Sequence, residues 1–281
     1  NASDPTITNV IISGNTTSSN GGGMFLTISD PTITNVTISG NTTNYYGGGM
    51  YTQASNPILT NVIISGNTTN DYGGGMYLNA SDPTITNVTI SGNTTSNNGG
   101  GMYLYDSDVI LTNVTISGNT SNANGGGIFI SHDSNPILLN TIIVGNESNE
   151  IEFSSDNNSS TITISYSNIE GGQDSIATND NGTVTWGDGN VDIDPVFVNA
   201  DSSDYHLSDL SPVISAGIDS VQIGDTLYVA QTTDLEGNLR PSPSNTVLDL
   251  GAYESDQGAG EYNGPVWYVD ASSELPYANG S

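Results

Sequence analysis

Glycine triplets begin at Gly21, Gly47, Gly73, Gly99 and Gly125, each 26 residues after the one before. Strict self-similarity of this length means stacked copies of one supersecondary unit, none of which can bury its apolar face alone. A second marker keeps step: the serines that open Ser-Gly-Asn, at Ser13, Ser39, Ser65, Ser91 and Ser117, also advance by 26. The next copy, Val144-Gly145-Asn146, arrives one residue late, which points to a single insertion within Ser131 to Asn135.

Within one repeat, Pro31-Thr-Ile-Thr-Asn-Val-Thr-Ile-Ser-Gly-Asn41 and then Gly47-Gly-Gly-Met-Tyr51, apolar residues alternate with Thr or Ser. That is the period of a strand. β-Branched residues dominate and nothing recurs at three-to-four spacing, which argues against helix. Three short strands, PTIT, NVTIS and GGMYL, fit one turn of a β-solenoid whose coils stack about 4.8 Å apart. The expected fold is all-β: a right-handed parallel β-helix with 26-residue coils and a less regular C-terminal capping segment.

Alternation assigns the faces. Ile33, Val36, Ile38 and Met50, with Ile7, Val10, Ile12 and Met24, are expected inside, and Thr32, Thr34, Thr37 and Ser39 toward solvent. Two asparagine series recur in register at strand corners: Asn9, Asn35, Asn61, Asn87, Asn113 and Asn140, and Asn15, Asn41, Asn67, Asn93, Asn119 and Asn146. Stacked at coil spacing, each series is expected to form an amide ladder along the axis. The triplets mark a tight bend that needs positive φ or close approach of coils. Phe25, Tyr51, Tyr77, Tyr103 and Phe129 follow the triplets at constant register. Because methionine takes the inward slot, these rings are expected to face outward as an offset stack, either stiffening the coil or forming a flat platform for sugars or a partner protein.

The chain has 30 acidic residues against one Lys or Arg, Arg240, for a formal net charge of -29. Such a chain repels nucleic acid and anionic membranes, since counterion release at phosphates needs cationic side chains. There is no cysteine, so disulfides and thiolate metal sites are excluded. No apolar run is long enough to span a bilayer. The first residues already belong to a repeat, so the chain is expected to be a slice of a larger polypeptide. Only eight of the acids precede Ser148, and this shift separates regular repeats over 1–170 from a C-terminal continuation and cap over 171–256. A linker and the start of a following module are expected over 257–281.

The pairing of the Gly-Gly-Gly-Met-Tyr and Ile-Ser-Gly-Asn motifs resembles the repeats of polymorphic outer-membrane proteins. More closely, it is similar to bacterial right-handed β-helix proteins with a choice-of-anchor Q type C-terminal region. The order of Ser165-Tyr-Ser-Asn-Ile-Glu-Gly-Gly172, Val191-Asp-Ile-Asp-Pro-Val-Phe-Val198, Asp204-Tyr-His-Leu207, Ser211-Pro-Val-Ile-Ser-Ala-Gly217, Asp234-Leu-Glu-Gly-Asn-Leu-Arg240 and Asp249-Leu-Gly-Ala-Tyr-Glu254 carries that second resemblance. It implies a secreted or surface-anchored bacterial protein.

The same fold hosts pectin-degrading enzymes, so catalysis is weighed. Lyases of that kind need a cationic base, and the repeats contain no Lys or Arg. Hydrolases need facing carboxylates, and no Asp-Asp pair or Gly-His-Gly motif of the polygalacturonase type is present. His132 and His206 lack Ser or Cys partners and read as surface or packing residues, and Arg240 as an ion pair with Asp234 or Glu236. Asp188, Asn190, Asp192 and Asp194 place oxygen ligands at alternate positions, as calcium sites do, so calcium is the one cofactor left open. Thr6/Thr8, Thr32/Thr34 and Thr84/Thr86 are similar to the flat arrays of ice-binding solenoids, interrupted by Ile58, Ile110 and Ile137. The expected function is a non-catalytic structural and adhesive surface module whose partners are other surface proteins or further copies stacked head to tail into filaments. A carbohydrate-binding or polysaccharide-degrading β-helix is the alternative, with ice binding a distant third.

Overall fold

The computed structural model describes residues 3–156 and 159–258. The expected linker and following module, beyond Gly258, lie outside the described residues. Each repeat wraps once around a common axis, giving an all-β parallel solenoid of about seven turns. One coil comprises an eight-residue strand, Thr32–Ser39, a two-residue strand, Thr42–Thr43, and a four-residue strand, Met50–Gln53. Strands of successive coils pair in parallel with a shift of one repeat, as in Ile7↔Ile33, Thr16↔Thr42 and Met24↔Met50. Three parallel sheets run along the axis.

The expected PTIT and NVTIS strands are one element, bent where Asn35 adopts φ 54°. Every member of that asparagine series has a positive φ, from Asn9 at 58° to Asn140 at 50°. Asn tolerates the left-handed region because its short amide finds local partners. The Thr42–Thr43 strand was not expected, since two residues carry no periodicity. The inserted residue lies between Ser131 and Ser134, where His132 and Asp133 both take positive φ, and the next strand accordingly pairs Ile110↔Ile137, 27 apart.

Both roles expected of the triplets are present. Gly47 sits at φ 70°. A Cβ on Gly48 would lie 2.3 Å from the Gly74 carbonyl oxygen in the next coil. Ile33, Val36, Ile38, Met50 and their equivalents form one continuous buried column running to Ile176. At the first described coil the pattern weakens: Val10 is exposed and Ile7 and Ile12 are half-buried, since among the described residues they are packed from one side only.

Coil stacking continues irregularly to Gly182–Trp186, which pairs with Ser160–Ser165. The expected end cap takes a different form. The chain lies back along the outer face of the long sheet, forming two antiparallel hairpins on the way, Phe197–Asn199 with Asp204–Leu207 and Ser220–Ile223 with Thr226–Val229. It is fastened there by Tyr205, whose hydroxyl donates to the Ser117 carbonyl at 3.5 Å, by Asn87 donating to the Thr233 carbonyl at 2.7 Å, and by the Ala252 N–H donating to Thr115 at 3.1 Å. This corrects the expectation that the outer Thr and Ser slots face solvent. Thr34 and Thr37 are half-buried, but Thr86, Thr89, Ser91, Thr112 and Thr115 are buried beneath this flank. Ile142 and Ile63, which replace Thr in the outward slot, pack into the flank's two apolar clusters.

Candidate functional site

Both asparagine ladders form, and they run in opposite senses. In the corner ladder each amide donates to the preceding coil: Asn35 to Asn9, Asn61 to Asn35, Asn87 to Asn61, Asn113 to Asn87 and Asn140 to Asn113, at 3.0–3.2 Å. In the inner ladder each amide donates to the following coil: Asn15 to Asn41, Asn41 to Asn67, Asn67 to Asn93, Asn93 to Asn119 and Asn119 to Asn146, at 2.8–3.0 Å. The inner amides also donate to the carbonyls of Ile12, Ile38, Ile64, Ile90 and Ile116. Glu150 closes this ladder, its carboxylate accepting from the Asn146 backbone N–H and side chain. Burial, opposed by the Asn146 bonds and aided by nearby Glu170, pushes Glu150 up to about 7.

Two further ladders were not read from the sequence. Backbone N–H groups of Ser29, Ser55, Ser81 and Ser107 donate to the serine hydroxyl one coil on, at 3.0–3.1 Å. Those of Asp30, Asn56, Asp82, Asp108 and Asn135 donate to the Asp or Asn side chain one coil back, at 2.6–2.7 Å. The signal was available in the fixed register of Ser and Asx before each proline or apolar start, such as Ser81-Asp82-Pro83.

The aromatic column stacks as expected, with centroids 5.2 Å apart for Phe25–Tyr51, 5.4 Å for Tyr51–Tyr77, 4.9 Å for Tyr77–Tyr103 and 5.2 Å for Tyr103–Phe129. It is not an exposed platform. Tyr51, Tyr77, Tyr103 and Phe129 are only 5%, 8%, 8% and 4% exposed, while Phe25 at the first coil retains 48%. Stacking at coil spacing hides both faces of each interior ring, and Tyr46, Tyr72 and Tyr105 pack over the column. Burial pushes Tyr103 up to about 12, and Tyr77 higher still.

The calcium run is not brought together. Asn190 donates to the carbonyls of Ile164 and Gly187 at 2.8 and 3.1 Å and accepts from the Ser167 N–H. Asp192 accepts from the Gly171 N–H at 2.9 Å and Asp194 from the Val196 N–H at 2.8 Å, so these oxygens already serve as turn and ladder acceptors. Asp188 is exposed at the preceding turn. Among the described residues no group of three or more His, Cys, Asp or Glu side chains is placed to hold a metal ion. Glu170, Asp192 and Asp194 line a cleft of about 500 Å³ with Val144 and Phe197.

Arg240 pairs with neither expected carboxylate. Its Nε lies 3.5 Å from Glu254, and its other nitrogens donate to the carbonyls of Asp249 and Gly251 at 3.3 and 2.8 Å. Asp234 instead accepts four bonds, from the N–H groups of Glu236, Asn238 and Glu254 and the Asn238 side chain. Asp249 accepts from the Ser215 and Ser255 N–H groups, each at 2.7 Å. Burial raises Asp249 to about 6 and, with repulsion from Asp249, raises Glu254 to about 7, because one cation among buried carboxyls does not offset their desolvation. Glu236 faces His206, whose ring nitrogens lie 2.7 Å from Asp204 and 3.4 Å from Glu236. Burial opposes the imidazolium, but the two carboxylates outweigh it and raise the His206 pKa. His132 is a packing residue, stacked 4.0 Å from Tyr105.

Among the described residues no helix is long and apolar enough to cross a membrane. No curated protein and no solved structure matches the chain. A family model described as the right-handed beta helix region matches residues 1–120 and 86–205, and the chain belongs to that family.

Proposed function

We propose that the protein is a non-catalytic structural and adhesive rod on a bacterial surface. The observation that carries this reading is where the repeat's polar side chains go. Asparagine, serine and Asx residues of each coil are spent on bonds to the coil above or below, and the lone Arg240 is buried among flank carbonyls and Glu254. A scaffold needs that allocation; a catalytic groove needs such groups free and aimed at one point. The secreted, surface-anchored setting rests on the resemblance carried by the order of the C-terminal motifs alone.

The test is incubation of the purified protein with polygalacturonate, xylan and β-glucan, with reducing ends measured over days, alongside small-angle scattering. Release of no sugar by an elongated particle is the expected result. Sugar release above the buffer control overturns the non-catalytic reading.

A further inference from the structure

The position just before each glycine triplet is Asn20, Asn98 and Asn124 in three coils but Tyr46 and Tyr72 in the two between them. One residue earlier stand Ser19, Tyr45, Asp71, Asn97 and Ala123. The departure from the repeat is therefore confined to one spot on the surface. Burial of the inner column does not require it: Phe129 is buried with Asn98 and Asn124 in the two nearest slots.

What the departure creates is a second, outer aromatic layer. Tyr46 and Tyr72 stack with centroids 5.8 Å apart. Tyr46 rests on Tyr77 at 4.7 Å, and Tyr72 on Tyr103 at 4.9 Å. The buried column thus holds these rings in place, so little freedom is lost when a ligand settles on them. Both remain half-buried, and Tyr45 beside them is 52% exposed. The rim is polar: Asn44 and Asn70 are exposed and joined at 3.1 Å, and Asp71 and Asn97 are joined at 3.3 Å.

We infer that Tyr45, Tyr46 and Tyr72 with the Asn70–Asp71 rim form a binding site for a neutral saccharide chain. Pyranose rings present apolar C–H faces to aromatic rings and hydroxyls to flanking amides and carboxylates, which is the combination available here. Anionic glycans are disfavoured: the net charge is -29 and the single Arg is buried. The inference rests on the adhesive part of the reading above and names its surface.

The repeat supplies its own controls. Tyr46→Asn and Tyr72→Asn install the residue that other coils carry at this slot, so the fold is expected to survive, as circular dichroism and the melting temperature check. Cellohexaose, xylohexaose and mannohexaose serve as neutral probes and polygalacturonate as the anionic one, with binding followed by calorimetry on the full chain. The expected result is micromolar to millimolar binding of at least one neutral hexaose, weakened tenfold or more in the double variant and insensitive to salt. Absence of binding at millimolar concentration, binding unchanged in the double variant, or preference for polygalacturonate overturns the site. A concentration-dependent dimer of the wild type that the double variant abolishes also overturns it, in favour of self-association. A cooperatively folded rod that binds none of these probes defeats this inference while leaving the structural reading intact, whereas cleavage of a hexaose defeats that reading.

Discussion

The Oδ1 atom of Asn67 accepts both the backbone N–H and the side-chain amide of Asn41, each at 3.0 Å, while the Asn67 amide itself reaches back to the Ile38 carbonyl and on to Asn93. One buried residue thereby ties three successive coils. Asn67→Ala leaves donors and acceptors unpaired in a dry interior, at a cost of about 1–3 kcal/mol for each stranded group. Asn35→Ala, in the exposed part of the corner ladder, loses the bonds to Asn9 and Asn61 and the amide that lets this residue tolerate positive φ, at a cost of about 1 kcal/mol. Urea denaturation is expected to rank Asn67→Ala as clearly the more damaging.

Glycine substitutions separate two kinds of constraint. Gly48→Ala puts a methyl group against the Gly74 carbonyl oxygen and forces neighbouring coils apart, whereas Gly40→Ala meets nothing within 4 Å and only strains a residue at φ 62°. The second is expected to cost about 1 kcal/mol or slightly more, with the melt still cooperative. The first is expected to lower the yield of folded protein or to cost several times as much.

The inner tyrosines are a stability element. Tyr77→Ala removes a ring packed against Tyr51, Tyr103 and Tyr46 and is expected to cost about 3–5 kcal/mol, in the range of large buried aromatic truncations. In wild-type protein, alkaline titration followed at the phenolate band is expected to leave Tyr77 and Tyr103 protonated past the range where free tyrosine ionises. Complete ionisation of every tyrosine by pH 11, with the protein still folded, contradicts their burial.

Mild acid is expected to strengthen the C-terminal flank. Asp249 at about 6 and Glu254 at about 7 lie above their ordinary values of 3.8 and 4.5, so the folded state holds protons that the unfolded chain has released. That stabilisation is complete below the unfolded values and is lost as pH rises through 6 and 7. His206, raised by Asp204 and Glu236 against its burial, acts in the same direction, losing its contribution as pH passes its folded value. Melting temperature is expected to fall between pH 5 and pH 8, and Glu254→Gln is expected to flatten that slope. A wild-type melting temperature that rises over the interval contradicts the burial of these carboxyls.

The coil, its inward residues and both asparagine ladders were legible because identical residues at a fixed step must meet when coils stack. Asn35 and Asn61, or Met50 and Met76, can be paired from their numbers alone. Exposure of the aromatic column was misread because what hides Tyr51 and Tyr77 is the stack itself, a neighbouring ring on each side at coil spacing. The returning flank was invisible for another reason. Asn87 meets Thr233, and Thr115 meets Ala252, across separations that no periodicity announces. Ile63 and Ile142, in an outward column that also holds Thr37, Thr89, Thr115 and the exposed Ile11, were the local hint. The partner of Arg240 was misassigned because Glu236 is near in sequence, while the flank brings Glu254 to the guanidinium.

Hydrogen exchange of wild-type protein and Asn67→Ala, resolved by coil, tests most directly the claim that stability passes from coil to coil through buried ladders. The variant is expected to lose protection over Thr32–Gln53, Ile58–Asn79 and Thr84–Tyr105, the coils that Asn67 joins, with protection recovering toward Ile128–Ser131. Loss confined to the turn around Asn67, with the adjoining coils as protected as before, contradicts the account.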